Sequence, residues 1–526
     1  MRKLLLGDEA VALGALNAGI SGVYAYPGTP STEVTEFIQG DALAAARGVH
    51  SRWCTNEKTA MEAALGMSYA GGRALVCMKH VGMNVCADAF INSSITGVNG
   101  GLVVLVADDP SMHSSQNEQD SRNYARMANV PVFEPSNQQE AYDMTVKAFE
   151  FSEETGLPVM LRMVTRLAHS RASVETGEFA GTKKRPVATD KGWVLLPAIA
   201  RKQYMKLLGK VPTLYQKAEE SPYNRLEGKG RIGVVACGVG YNYVREVLAA
   251  NPSLKAKVLK ISQYPVSEKM IKKFAANCDE LLVVEDGAPI VETDVAAWLG
   301  SDVRVEGRCN GRLPQQGELS PNSVAFALGV PYKVNFEYSD VIGARPPQLC
   351  QGCGHRDVYS ALGKVMEDYP DGRVFGDIGC YTLGALPPFK ALASCVDMGA
   401  SITMAKGAAD AGVFPAVAVI GDSTFTHSGM TGLLDAVNEN SPITVIISDN
   451  LTTAMTGGQG SAGTSKFEGI CKALGVPAEH VKVVVPVPAN IEAIAETIRE
   501  EINYKGVSVI IPRRECMQTL RKHSKK

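Results

Sequence analysis

The sequence predicts an α/β protein built from three parallel-sheet domains. Strand-length apolar runs alternate with longer helical stretches in three zones, the pattern left by parallel strands joined by helical crossovers. At 526 residues the chain is too long for one compact core. Glycine is abundant, with 51 residues, which suits tight strand-to-helix turns and backbone lying close to phosphates.

The first zone, 1–175, offers candidate strands at Gly22–Tyr26, Arg73–Lys79, Leu102–Ala107 and Pro158–Met163. Glu57–Ala70 between them reads as a helix capped by Thr55 or Asn56 and stopped by Gly71-Gly72. Residues 176–229 are charged, lack a strand period and are expected to form a connector with some helix. The second zone, 230–335, opens on RIGVVACGVG at Arg231 and continues through Lys257–Ile261 and Leu281–Glu285. Asn322 to Pro347 reads as a linker. The third zone, 345–520, holds Arg373–Asp377, Pro415–Ile420, Ile443–Ser448 and Val507–Ile511. No short repeat is present, but the first and third zones match in size and pattern, as two related cofactor-binding halves would.

Composition is 45% hydrophobic and 21% charged with a formal charge of −2, which gives no reason to expect a nucleic-acid or anionic-membrane partner. The start, MRKLLLGDEA, lacks the apolar core of a signal peptide. Leu102–Ala107 and Ala416–Ile420, the strongest apolar runs, are far short of a membrane span. The expectation is a cytoplasmic protein whose twelve cysteines sit in a reducing compartment, where metal or cluster binding outweighs a disulfide framework.

In the third zone two buried-strand runs deliver polar residues to their ends. AVAVI leads to Gly421-Asp422-Ser423, and ITVIIS leads to Asp449-Asn450-Leu451-Thr452. Mg²⁺ takes hard oxygen ligands in near-octahedral geometry, with few protein groups and phosphate oxygens completing the set. Asp422 offers a carboxylate, Asn450 an amide oxygen and Thr452 its backbone carbonyl, while Gly421 lets the chain turn at the strand end. Ordinary polar turns after strands are the plain alternative. Asp397–Ala409 reads as a helix started by Gly399 whose N-terminus could hold a diphosphate.

Cys350 and Cys353 form a two-residue-spaced pair in a glycine turn, followed by His355. Such a pair can hold two corners of an iron–sulfur cluster or half of a zinc site. Cys380 follows a strand end in GDIGC, and Cys516 follows the last expected strand. The other eight cysteines lack partner spacing, and most of them read as small buried hydrophobes. In the first zone Glu57 opens a helix after a strand end, where it can also simply favour the helix dipole. Thr29 lies in YAYPGTPST, a turn fixed by Pro27 and Pro30, and Ser31 or Thr32 can cap the helix that follows.

These motifs resemble the large subunit of the indolepyruvate-type 2-oxoacid:ferredoxin oxidoreductases. GDS followed by DN is similar to the GDG…NN thiamine-diphosphate motif, with Ser423 replacing the second glycine and Asp449 the first asparagine. FTHSGM, TTAMTGGQ, KHVGMNVCAD and DDPSMHSSQNEQDSR extend the likeness to this branch, over nearly the whole chain apart from the stretch near 170–230. The resemblance implies a thiamine-diphosphate-binding fold. Its pyrimidine domain would be 1–175, its transketolase-C-terminal-like domain 230–335, and its diphosphate and Mg²⁺ domain 345–520. It implies that Glu57 activates the cofactor, that Thr29 approaches substrate, and that Gly421, Asp422, Ser423, Asn450, Thr452, Gly399 and His355 surround thiamine diphosphate. It makes Asp422, Asn450 and Thr452 the Mg²⁺ ligands and Cys350, Cys353, Cys380 and Cys516 the ligands of a [4Fe–4S] cluster, with zinc as the alternative for those thiolates.

The implied reaction is oxidative decarboxylation of an aryl 2-oxoacid with coenzyme A, electrons passing to ferredoxin. A non-oxidative thiamine-dependent decarboxylase or lyase is the rival, and a zinc-binding or electron-transfer scaffold without thiamine chemistry a more distant one. The implied partners are a smaller β subunit in an (αβ)₂ assembly and ferredoxin. Family members commonly carry a ferredoxin-like C-terminal domain with further clusters. No such domain is expected after Cys516 here, so electrons are expected to leave through the internal cluster or another subunit. His80, His113 and Arg122 are candidate substrate contacts, but neither their roles nor that of His427 can be assigned from the sequence.

Overall fold

The computed structural model describes residues 1–179, 181–187, 191–332, 339, 341–343 and 346–523, and it divides into two compact units, Met1–Glu337 and Tyr338–Lys526.

The first unit is organised on two large sheets and a two-stranded antiparallel one, Arg2–Leu6 with Arg171–Glu175. In the larger, the strands lie in the order Gln263–Tyr264, Val132–Phe133, Val159–Val164, Leu102–Asp108, Ala74–Lys79, Gly22–Ala25 and His50–Trp53. All pairings are parallel except at the Gln263–Tyr264 edge. Leu102–Asp108 and Val159–Val164 are buried along their whole length. This is why they read as unbroken apolar runs rather than alternating ones.

In the second sheet the order is Arg304–Glu306, Glu280–Val284, Ile232–Cys237, Ala256–Ile261 and Arg225–Gly228. It is parallel apart from the last, antiparallel strand. That edge strand comes from the stretch expected to be a connector. The same stretch holds a 23-residue helix, Pro197–Glu219.

The expected linker from Asn322 is also partly structured. Pro321–Leu328 is a helix, with the Ser320 hydroxyl accepting from the Ser323 amide and Gly329 closing it at φ +66°. A serine N-cap, a proline at the first helical position and a terminal glycine spell out this helix locally. Part of the remaining linker lies outside the described residues.

The second unit holds an all-parallel sheet in the order Arg373–Gly376, Ala416–Gly421, Ile443–Ser448, Ser508–Pro512 and Val481–Val484. Helices Gly354–Met366 and Ile491–Ile502 pack together, while Ala400–Asp410 packs on Met430–Asn438. Ile420, Ile443, Val445, Ile447 and Val509 anchor one of its cores. The α/β class with mainly parallel sheets is therefore as the sequence predicts. Among the described residues no helix is long and apolar enough to cross a membrane.

Candidate functional site

In the second unit, the carboxyl ends of neighbouring strands Ala416–Gly421 and Ile443–Ser448 carry the GDS and DNLT turns. Asp422 is 3% exposed. Its Oδ1 accepts from the Ser423 amide at 2.6 Å and its Oδ2 from the Thr452 amide at 3.1 Å. The Thr452 N–H is shared with Asn450 Oδ1 at 3.2 Å, so the carboxylate and amide oxygens converge on one point. Leu451, at φ +64°, turns the backbone to allow this. Among the described residues Asp422 makes no ion pair, and burial, reinforced by Asp449, pushes its carboxyl up to about 7. A buried acid with a converging amide oxygen and no basic partner suits a hard cation such as Mg²⁺.

Both departures from the thiamine motif have local explanations. Asp449 is neutralised by Arg513, whose Nε lies 2.6 Å from Asp449 Oδ2 while its other nitrogens hold Glu468. Ser423 Oγ meets Thr453 Oγ1 at 2.7 Å, tying the first turn to the second. Gly421 is needed because a side chain there would begin 2.6 Å from the Tyr381 ring.

Gly399, at φ +94°, starts helix Ala400–Asp410. The Ser401 amide and hydroxyl both donate to Asp377 Oδ2, at 3.2 and 2.6 Å. Tyr381 donates its hydroxyl to Asp377 Oδ1. Burial raises the Asp377 carboxyl to about 6. Asp377 thus occupies part of the helix N-terminus that the sequence suggested for diphosphate, and no sequence signal set it apart. His427 lies in a π-helical turn, Phe425–Gly429, with its Nδ1 2.6 Å from Ser428 Oγ.

Four cysteines distant in sequence, Cys350, Cys353, Cys380 and Cys516, line one cavity of about 190 Å³. Burial, with the three other thiols and Asp422 adding to it, raises the Cys380 thiol to about 12. Burial also raises Cys353, again with Cys350 and Cys516 contributing. The Cys516 amide donates to the Asn450 carbonyl at 3.1 Å, joining the thiol cavity to the DNLT turn. His355 lines the same cavity, 5% exposed, and its Nε2 has no partner among the described residues. Burial lowers its pKa to about 4, so it is neutral. Every described cysteine is free of disulfides.

In the first unit, Glu57 opens helix Glu57–Tyr69, and Asn56 rather than Thr55 caps it, accepting from the Thr59 amide at 2.9 Å. Glu57 is 5% exposed and its carboxylate rests on Gly82, where a Cβ would stand 2.5 Å from Oε1. Gly82 was not singled out by sequence, because a glycine inside a helix carries no positional signal. Ser31 and Thr32 are both used on Gly28: Ser31 Oγ donates to its carbonyl and Thr32 Oγ1 accepts from its amide. The Thr29 carbonyl accepts from Ser114 Oγ at 3.5 Å.

His80 Nε2 lies 3.2 Å from both the carbonyl and side-chain oxygens of Asn117. His113 pairs at the surface with Glu318 at 3.5 Å. Arg122 is fully engaged with Asp120 at 2.6 Å and Glu285 at 2.9 Å, in a buried network that also contains Arg162, Asp108, Glu134 and Tyr264. This network joins the two large sheets of the unit.

Comparison with known proteins fits this picture. Residues 13–191 match the model for pyruvate flavodoxin/ferredoxin oxidoreductase, thiamine diphosphate-binding. Residues 377–511 match that for the thiamine pyrophosphate enzyme C-terminal TPP-binding domain. A 2-oxoglutarate:ferredoxin oxidoreductase from Magnetococcus marinus, solved with 2-oxoglutarate, coenzyme A and succinyl-CoA bound, shares the fold at TM-score 0.52. The likeness has 17% identity and spans 62% of this chain and 65% of that one. Fold and matches define a thiamine-diphosphate-binding 2-oxoacid oxidoreductase.

Indolepyruvate oxidoreductase subunit IorA of Pyrococcus abyssi is 39% identical over 98% of this chain and 86% of its own. That of Archaeoglobus fulgidus is 39% identical over 97% and 86%. The chain belongs to the IorA family of indolepyruvate oxidoreductase subunits.

Proposed function

We propose that this chain is the thiamine-diphosphate-binding subunit of a cytoplasmic enzyme that oxidatively decarboxylates aryl 2-oxoacids of the indolepyruvate type. Coenzyme A takes the acyl group, and electrons pass through a [4Fe–4S] cluster to ferredoxin. A smaller β subunit completes an (αβ)₂ assembly. The observation that carries the reading is the gathering of Cys350, Cys353, Cys380 and Cys516 on one cavity joined to the Asn450 turn. A non-oxidative decarboxylase has no use for an electron acceptor at that place.

Thiamine diphosphate, when bound, supplies the carbon nucleophile and the electron sink. Asp422, Asn450 and the Thr452 carbonyl would hold Mg²⁺ and through it the diphosphate. The Gly399 turn and His355 would lie beside that group. Glu57 would hydrogen-bond the cofactor's pyrimidine and stabilise its imino tautomer, and Thr29 would donate a hydrogen bond to substrate. The four thiols must lose their protons to bind iron, which burial of Cys353 and Cys380 makes unfavourable until metal is present.

The test is anaerobic purification of the complete enzyme with iron and sulfide analysis, plus visible spectra before and after indolepyruvate and coenzyme A. About four irons per chain and bleaching near 400 nm on substrate addition are expected. Bound thiamine without iron would favour the non-oxidative lyase, and zinc in place of iron would remove the electron path.

A further inference from the structure

We propose that Lys79 binds the carboxylate of the 2-oxoacid substrate; this rests on the proposed function above and adds a substrate-binding group to it. Lys79 ends strand Ala74–Lys79, on the sheet edge where ligands of parallel α/β proteins bind. Its Cβ lies 3.3 Å from where a side chain on Gly28 would begin, so it flanks the loop that carries Thr29. Its Nζ donates to the Ser114 carbonyl at 2.7 Å, and Ser114 Oγ in turn reaches the Thr29 carbonyl. The ammonium therefore stands in the wall formed by the Thr29 loop and the loop after Leu102–Asp108.

Among the described residues its charge is met only in part, by Asp109. Lys79 is half-buried and forms no ion pair among the described residues. Asp109, the acid that acts on it, spends its oxygens on the Ser114 amide at 2.8 Å, Ser115 Oγ at 2.6 Å and Thr165 Oγ1 at 2.7 Å. Burial lowers the Lys79 pKa, with Asp109 opposing only in part. Among the described residues, one of its three ammonium donors is used. Withdrawing such a group from water without a counter-ion is costly unless a ligand supplies the anion.

Two neighbours agree with an anionic ligand. Helix His80–Thr96 begins at the next residue with no side-chain cap on its first turn, so its positive end adds to the ammonium. Gly82, on that same turn, bears the Glu57 carboxylate. Substrate charge and activating acid would thus be read from one helix start.

The substrate carboxylate departs as neutral CO₂, so its pairing with Lys79 belongs to the ground state and fades toward the transition state. In the assembled holoenzyme, Lys79→Met should raise KM for the 2-oxoacid about 10- to 100-fold, the range for one hydrogen bond to a charged group. The kcat should be unchanged or higher, and KM for coenzyme A unchanged. Lys79→Arg should recover part of the loss by keeping the charge. As inhibitors, 3-phenylpropionate should bind wild type more tightly than 3-phenylpropanamide, and Lys79→Met should erase that preference.

Lys79→Gln, with thermal melting and cofactor content compared with wild type, separates binding from misfolding. An unchanged KM and an unchanged acid-over-amide preference in either folded neutral variant would overturn the assignment while leaving the enzyme's reaction intact. A wild-type holoenzyme inert toward every 2-oxoacid would overturn the proposed function and this assignment together.

Discussion

Replacing Gly82 by alanine tests whether the position of the Glu57 carboxylate, rather than its presence alone, sets turnover. The new Cβ would stand 2.5 Å from Glu57 Oε1, 2.6 Å from Cγ and 2.8 Å from Cδ, against ordinary contacts that begin near 3.4 Å. The carboxylate must retreat by about 1 Å, and a misplacement of that size costs on the order of 100-fold in rate. The fold should tolerate the change. Gly82 lies inside a helix with no positive φ, so alanine gains about 1 kcal/mol of helix propensity, and the displaced neighbour is a side chain rather than backbone.

The expected variant is thus as stable as wild type, with a normal iron content and spectrum and kcat reduced about 100-fold at saturating thiamine diphosphate. The assay is anaerobic 2-oxoacid-dependent reduction of ferredoxin, run beside thermal melts. Glu57→Gln should itself abolish turnover. Full activity in Gly82→Ala would refute the reasoning.

Three further outcomes follow from the same geometry. Cys516→Ala should lose most of its iron and the visible band near 400 nm while thiamine diphosphate still binds, measured by metal analysis and fluorescence titration. Arg513→Met should destabilise the second unit by about 3 kcal/mol, because it strands the buried Asp449 charge, and Asp449→Asn in the same chain should restore most of the loss; denaturant midpoints check both. His169 and Glu33, 3.5 Å apart and each about one-third exposed, should give a small pH-dependent contribution of no more than about 1 kcal/mol. The His169 pKa is raised by Glu33, so its share is present below the unfolded value and lost as pH rises through the folded one. The Glu33 pKa is lowered by His169, so its share is lost as pH falls through its folded value. Melting of His169→Gln should therefore approach wild type above pH 8 and lag it most near pH 6.

What the sequence disclosed is what local spacing can encode. The strands Ala74–Lys79, Leu102–Asp108, Ala416–Gly421 and Ile443–Ser448 were legible because burial on both faces forces unbroken apolar runs. His50–Trp53 and Val481–Val484 escaped notice because they are edge strands, half-exposed and interrupted by Arg52 and Lys482. The Pro197–Glu219 helix was blurred into a connector by Pro212 and by a charged surface that masks its few buried positions. The paired cysteines and the GDS and DN turns could be read as candidates, but the cavity that gathers four thiols is a fact of tertiary structure.

The two departures from the thiamine motif carry the same lesson further. Asp449 in place of asparagine looks from sequence like surplus negative charge beside Asp422. It is tolerated because Arg513, brought alongside by the neighbouring strand Ser508–Pro512, balances it and is itself held by Glu468. Ser423 in place of glycine is accommodated by Thr453 on the second turn. Each substitution is paired with a residue on a different strand end, so neither can be judged against the motif alone. The arrangement leaves Asp422 as the acid in this turn pair without a basic partner among the described residues. A cation delivered there would meet one uncommitted negative charge rather than two, which suits a Mg²⁺ that must also carry a diphosphate.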